Sequence, residues 1–357
     1  MESSEFRGGW GAHVGAQYFA LQCPPSGPAK QSRHRKFPRP DGGQISASSC
    51  PDTRAPQTPR EPGTTISFLP WIRPIYLQKH WLAVREQIEA IHDSGRRVVV
   101  AVTGGGATAV AELLAVPGGS RSLVEAVIPY SASALCDWLG GTPDQACSEA
   151  TARAMAMAAW LRARQLDREC DVAALVGVSC TASLASDRPK RGEHRVHAAI
   201  QTRDLTRSYS LTLAKEERNR QEEENVAASL LLLALSESCE CNSDALQAAL
   251  DDALLPGETV RVGQQRAGDG WGAVLLDGRA LVDVPDGESD DLQGLLFPGA
   301  FNPPHRGHLK MAEIAEARTG NKLAWEICLQ NADKPPLDWI AVAGRLAGLR
   351  AVDARRP

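Results

Sequence analysis

Two histidines three positions apart, His305 and His308, close the run Phe297-Pro-Gly-Ala-Phe-Asn-Pro-Pro-His-Arg-Gly-His308. On a helix that spacing puts both imidazoles on one face. In a first helical turn both can donate to the same phosphate oxygens, because the free N–H groups and the helix dipole there already favour an anion. Gly307 between them leaves room for a nucleotide to lie close. Such a set suits phosphoryl or nucleotidyl transfer, which asks for charge stabilisation more than covalent work. Two surface histidines can fall three apart by chance. Here a short apolar strand, Gly294-Leu-Leu-Phe297, leads through a tight loop, residues 298–304, into a helix starting at His305.

A second glycine run, Thr103-Gly-Gly-Gly106, joins an apolar strand (Arg97–Val102) to a helix (Ala107–Leu114). The order strand, loop, helix can also hold a phosphate, although a lone glycine run has little specificity. Lys190 and Arg191, in the polar loop Asp187–His194, either help hold that phosphate or are simply solvated. Lys334, within Asn331–Leu337, either reaches an anion or sits on a surface loop. The nine cysteines, spread from Cys23 to Cys328, have no zinc-like spacing, so no metal site is expected and the thiols read as reduced.

The elements that must position these residues follow from periodicity. Residues 79–94 read as an amphipathic helix with Trp81, Leu82, Ile88 and Ile91 on one face. Further helices are expected at 148–168 and 216–236, and strands at 172–178, 194–202 and 207–213. This alternation predicts a layered α/β domain with a mostly parallel sheet. Glu258–Val262 and Gly272–Leu276 read as short strands in a small connector over 243–293, and a new α/β unit begins near residue 294. Residues 1–75, rich in Pro, Ser, Gly and Arg, read as a disordered tail whose basic patch Lys30–Lys36 is solvated.

Composition agrees with a globular α/β chain: 43% hydrophobic, 23% charged and only 5% aromatic. The net charge of -4 does not favour nucleic acid or an anionic membrane as partner. The longest apolar stretch, Ala227–Leu235, is far short of the roughly 20 residues that span a bilayer. No apolar core follows a basic start at the N-terminus, so a cytoplasmic protein is expected.

The stretch Gly299, Ala300, Phe301, Asn302, Pro303, His305, Gly307 and His308 resembles the cytidylyltransferase-like nucleotidylyltransferases, and among them the nicotinamide-nucleotide adenylyltransferases. The resemblance covers residues 294–345. It implies a partial Rossmann-like unit over 294–357, ATP and Mg2+ as cofactors and a mononucleotide as substrate. His305 and His308 are then catalytic, with the Gly299–Asn302 turn, Gly307 and Lys334 around the phosphates. The family also uses a second phosphate clamp near an Ile-Ser-x-Thr-like helix start, which residues 309–357 do not contain, so impaired adenylyl transfer is expected.

Residues 76–242 resemble the C-terminal domain of the CinA family, whose active members are nicotinamide-nucleotide amidases. The matching pieces are Thr103-Gly-Gly, Val116-Pro-Gly-Gly-Ser120, Pro129-Tyr-Ser131 and Cys147–Met155. The resemblance implies a layered α/β/α fold, a nucleotide-sized pocket with Thr103, Gly104, Gly105 and Tyr130 around it, and self-association. Where that family has its nucleophilic serine this chain has Ala101, and Val100 replaces an acidic residue. Alanine cannot attack an amide carbon, so a pocket without amidase chemistry is expected. The functional alternatives are therefore adenylyl transfer, nucleotide binding without turnover, and amide hydrolysis.

Overall fold

The computed structural model describes residues 75–188, 190–276, 294–329 and 335–353. The tail expected over 1–75 and Lys334 thus lie outside the described residues, apart from Ile75. The chain divides into two units, Met1–Trp71 and Ile72–Pro357.

Its elements are α1 (Ile75–Asp93), β1 (Arg97–Thr103), α2 (Ala107–Ala115), α3 (Gly119–Ser122), β2 (Leu123–Val127), α4 (Ala132–Leu139), α5 (Glu149–Leu166), β3 (Leu175–Ser183), β4 (His194–Gln201), β5 (Leu205–Leu213), α6 (Arg220–Ser238), α7 (Asp244–Ala253), β6 (Arg261–Arg266), α8 (Trp271–Leu276), β7 (Leu295–Gly299), α9 (Arg306–Thr319), β8 (Leu323–Ile327) and α10 (Trp339–Val352). Six strands form one sheet in the order β2-β1-β3-β4-β5-β6, and β7 and β8 form a second, parallel pair.

The run of valines in β1 explains the layering. Alternate residues of a strand face opposite sides of a sheet. Val98, Val100 and Val102 join the core beneath α1, α2 and α6, while Val99 and Ala101 join the core beneath α4 and α5. Both faces of the central strands are therefore covered, giving α/β/α layers. α6 carries the apolar run Val226–Leu235 nearly all round, because it lies between the sheet and the helices α1, α2 and α7. Asn219 and Glu222 start it with a reciprocal capping box.

At Gly177 strand and helix meet almost without a gap: a Cβ there would lie 2.1 Å from the Ala156 carbonyl oxygen and 2.4 Å from the Trp160 nitrogen. This glycine lets α5 lie on β3.

The expected parallel sheet holds for β2-β1-β3, where helices intervene between strands. β3, β4 and β5 pair antiparallel, since they follow one another directly with no crossover helix, and β6, which comes after α6 and α7, also runs antiparallel to β5. Three readings need correction. Gly272–Leu276 lies in the helix α8, not a strand. Of Glu258–Val262 only the last two residues are strand; Glu258 instead binds Arg218 at 2.7 Å and accepts the Leu255 and Ala214 N–H groups. The connector over 243–293 is, in its first half, part of the main domain: Leu246 and Leu250 of α7 are buried in its core, and β6 is its edge strand. Smaller shifts are ordinary end effects. β3 begins at Leu175 because Asp171 caps a 3-10 turn over Val172–Ala174. Trp81 and Leu82 lie within α1 where side chains are not described, but Ile88 and Ile91 are buried as expected.

Among the described residues no helix is long and apolar enough to cross a membrane.

Candidate functional site

The parallel register of β7 and β8 sets Phe297 beside Trp325. With Phe301 they form an aromatic floor whose ring centroids lie 5.1 to 5.9 Å apart. Phe301 is 2% exposed and has a left-handed backbone (φ 44). For a non-glycine residue that conformation costs about 1–2 kcal/mol, which burial of the ring offsets. Gly299 leaves room for that ring: a Cβ there would be 2.5 Å from Phe301 Cζ. The His308 ring stands on the floor, 5.1 Å from Phe301 and 6.1 Å from Phe297.

The turn carries His305 to the N-cap of α9, one residue before the helix and not within it. Its extended backbone folds the imidazole back over the first turn, where Nδ1 accepts the Gly307 N–H at 3.1 Å. His308 Nδ1 accepts the His305 N–H at 3.1 Å in return. The rings stack with centroids 3.7 Å apart and planes 19° apart. A Cβ at Gly307 would sit 3.0 Å from both Nδ1 and Cε1 of His305, so this glycine makes the stack possible.

A neutral imidazole accepting at Nδ1 carries its proton on Nε2. The mutual cap therefore leaves two Nε2–H donors side by side at a helix start, where an anion is already favoured. Burial, and then the neighbouring His305, hold His308 below the usual imidazole range. Asn302 is exposed at the turn, and Ala300 is half-buried. The structure thus brings together Gly299, Ala300, Phe301, Asn302, His305, Gly307 and His308. Neither Phe297 nor Trp325 was expected from sequence as part of the site. Phe297 was legible as the last apolar residue before the turn; Trp325 had no such signal, because its place depends on strand pairing.

The second group lies on the other sheet, at the carboxyl end of β1. Thr103 is buried and its hydroxyl donates to the Pro129 carbonyl at 3.0 Å. Gly104 has positive φ (76), and a Cβ there would be 1.9 Å from the Ala182 carbonyl oxygen. The anion position expected at this loop is taken by the protein itself. Glu224 of α6 accepts the Gly106 N–H at 2.9 Å and the Thr108 N–H at 3.1 Å. Arg220, one turn earlier, donates to the Gly104 carbonyl at 2.7 Å. Gly104, Gly105 and Tyr130 do line one hollow of about 240 Å³, with Ile128, Arg220 and Glu224. Tyr130 is 71% exposed. Ala101 is fully buried, paired with Val127 and Ser179. Lys190 donates to the Leu184 carbonyl at 2.7 Å, closing its own loop.

Replacing Glu224 by alanine strips α2 of its cap, and a loss of about 1–2 kcal/mol is expected. Added phosphate should then raise the melting temperature of the variant more than that of the native chain. A variant indifferent to phosphate would show that the vacated loop holds no anion.

The family model for cytidylyltransferase-like proteins matches residues 296–357. A probable nicotinate-nucleotide adenylyltransferase of Gloeobacter violaceus is 39% identical over 75 residues, covering 17% of this chain and 36% of that protein. The chain therefore spans about a third of the length of the curated relative it matches. Among solved structures, the competence/damage inducible protein CihA from Agrobacterium tumefaciens aligns with 48% of this chain and 95% of its own, at 20% identity and a TM-score of 0.32. A competence-damaged protein (CinA) superfamily member from Enterobacter cloacae covers 44% of this chain and 92% of its own, at 21% identity and a TM-score of 0.35. The segment that carries both histidines is similar to the cytidylyltransferase-like proteins.

Proposed function

We propose that the His305/His308 turn holds the polyphosphate of a nucleotide in a nucleotidylyl transfer of pyridine-nucleotide metabolism, with ATP giving its adenylyl group to a nicotinate or nicotinamide mononucleotide. The carrying observation is the stacked imidazole pair whose Nδ1 atoms are turned onto the backbone, leaving both Nε2–H groups free to donate. The mononucleotide phosphate attacks the α-phosphorus of ATP, and pyrophosphate leaves. Negative charge builds on the oxygens between the α- and β-phosphorus, and two fixed donors at a helix start stabilise it without reorganisation. Mg2+ would ride on the triphosphate, its ordinary partner, and supply charge neutralisation there.

Incubating the purified chain with either mononucleotide and Mg-ATP, followed by mass spectrometry, tests the reading. Dinucleotide plus pyrophosphate is the expected product pair. Unchanged substrates, with no binding of ATP, would overturn it.

A second reading, nucleotide binding without turnover in the central domain, rests on the hollow beside Tyr130 and on Ala101, which the CinA resemblance sets where the amidase nucleophile stands. It expects saturable binding of a mononucleotide in the hollow beside Tyr130, with no deamidation.

A further inference from the structure

We propose that the six-stranded domain positions the His305/His308 turn through α10, with Arg153 and Asp338 as the positioning pair. The proposal rests on the reading that this turn holds a polyphosphate, and it adds residues far from the motif in sequence.

The start of α10 is fixed to the large domain at several points. Asp338 is the helix cap, accepting the Ala341 N–H at 3.0 Å, and it also accepts from Arg153 Nε of α5 at 3.1 Å. Its carboxylate is 5% exposed and the Arg153 side chain 14%, so water screens this pair little. Arg153 is held from its other side by Glu149, at 2.9 Å. Trp339 is fully buried: its N–H donates to Thr206 Oγ1 at 2.9 Å, and its indole N–H to the Arg203 carbonyl at 3.1 Å. Thr206 in turn donates to Gln201 Oε1 at 2.6 Å, so its hydroxyl has a fixed direction.

The far half of the same helix meets the histidine turn. Gly348 lies against Pro304, the residue before His305; a Cβ there would be 3.4 Å from Pro304 Cδ. Asp338 and Gly348 are ten residues apart, about 15 Å along a helix axis. A helix transmits a small tilt at its start as a displacement at its end. The anchors on Arg153, Thr206 and Arg203 therefore set where Pro304 sits, and so whether His305 can fold back over His308.

The test uses the full chain. Asp338→Asn keeps the cap, since asparagine is as good an N-cap as aspartate, and removes the charge pair. Arg153→Met removes the other partner, and Arg153→Lys retains the cation. The readouts are the titration of the His308 ring protons by NMR and the binding of inorganic tripolyphosphate by calorimetry. For Asp338→Asn we expect the His308 titration to move up towards the ordinary imidazole value and tripolyphosphate affinity to fall about tenfold, with circular dichroism unchanged. Arg153→Met should act in the same direction, and Arg153→Lys should recover part of the loss. A His308 titration identical to the native chain in Asp338→Asn overturns the proposal. If the native chain fails to bind tripolyphosphate, the functional reading falls, while the titration still decides the positioning. If Arg153→Met does not fold, Asp338→Asn decides alone.

Discussion

Replacing His308 by alanine is expected to slow the proposed adenylyl transfer by about 10²–10³, the usual cost of deleting one preorganised donor to transition-state charge. Ground-state nucleotide affinity should change less, because the helix start and His305 remain. The loss has two parts. The Nε2–H donor disappears, and so does the acceptor for the His305 N–H, which lets the His305 ring swing off the helix start. Single-turnover rates for the native chain and the variant measure the effect; an unchanged rate would remove His308 from the chemistry. His308→Asn separates the parts, since its amide oxygen can take the His305 N–H while offering a poorer outward donor.

The same cap gives the site a pH dependence of known sign. Protonation converts Nδ1 from acceptor to donor and breaks the bond from the His305 N–H. The folded-state pKa of His308 is lowered from its ordinary value of 6.5, first by burial and then by His305. The depressed value means that the folded state disfavours the proton. The capped turn is fully present above the ordinary value and is lost as pH falls through the lower folded value. The His305 amide resonance should follow that acid-side midpoint, and a midpoint above the ordinary value would contradict the capping geometry.

Gly177→Ala is expected to be among the most destabilising single substitutions in the chain, at about 3 kcal/mol or more. The new methyl would meet the Ala156 carbonyl oxygen at 2.1 Å, the Trp160 nitrogen at 2.4 Å and Trp160 Cβ at 2.9 Å. Two of these are backbone atoms of α5, so no rotamer change relieves the clash and the helix must lift from β3. Trp160 is fully buried at that contact, which leaves no slack. The midpoint of urea unfolding should fall with little change in slope. A native-like midpoint would mean that α5 and β3 are further apart than the structure shows. By contrast, Gly192→Ala, in open space on the polar loop, should be nearly neutral.

Much of this molecule is legible along the chain because it is local. The valine run of β1, the apolar face of α1 and the order strand, turn, His-x-x-His need only nearby residues, and each corresponds to an element found in the fold. Hydrophobic period and backbone propensity act over a few residues, so the sequence determined most of the strands and helices, and which turn carries the two imidazoles. Where local signals conflict, tertiary packing decides. Gly272–Leu276 has the composition of a strand, yet it is helical, and Trp271 beside it packs against Trp339 with ring centroids 5.8 Å apart. The placement of α7 and β6 on the main domain depends on Leu246, Leu250 and the open edge of β5, all distant in sequence from the residues they meet.

The candidate sites divide in the same way. The residues of the histidine turn were readable, but their arrangement was not. Helical spacing alone would set the imidazoles on one face, whereas the cap geometry at His305 stacks them and fixes their tautomers. The glycine loop after β1 reads as an anion site on its own, and only the fold brings Glu224 from α6, 118 positions away, to occupy it. Arg153 and Asp338, 185 positions apart, have no meaning as a pair until α5 and α10 are packed. The sequence by itself determined most of the elements and the chemistry each turn can offer, because those are properties of short stretches of chain. Which anion position is filled and what holds the turn in place were decided only by tertiary structure, because each depends on a contact between groups that the chain keeps far apart.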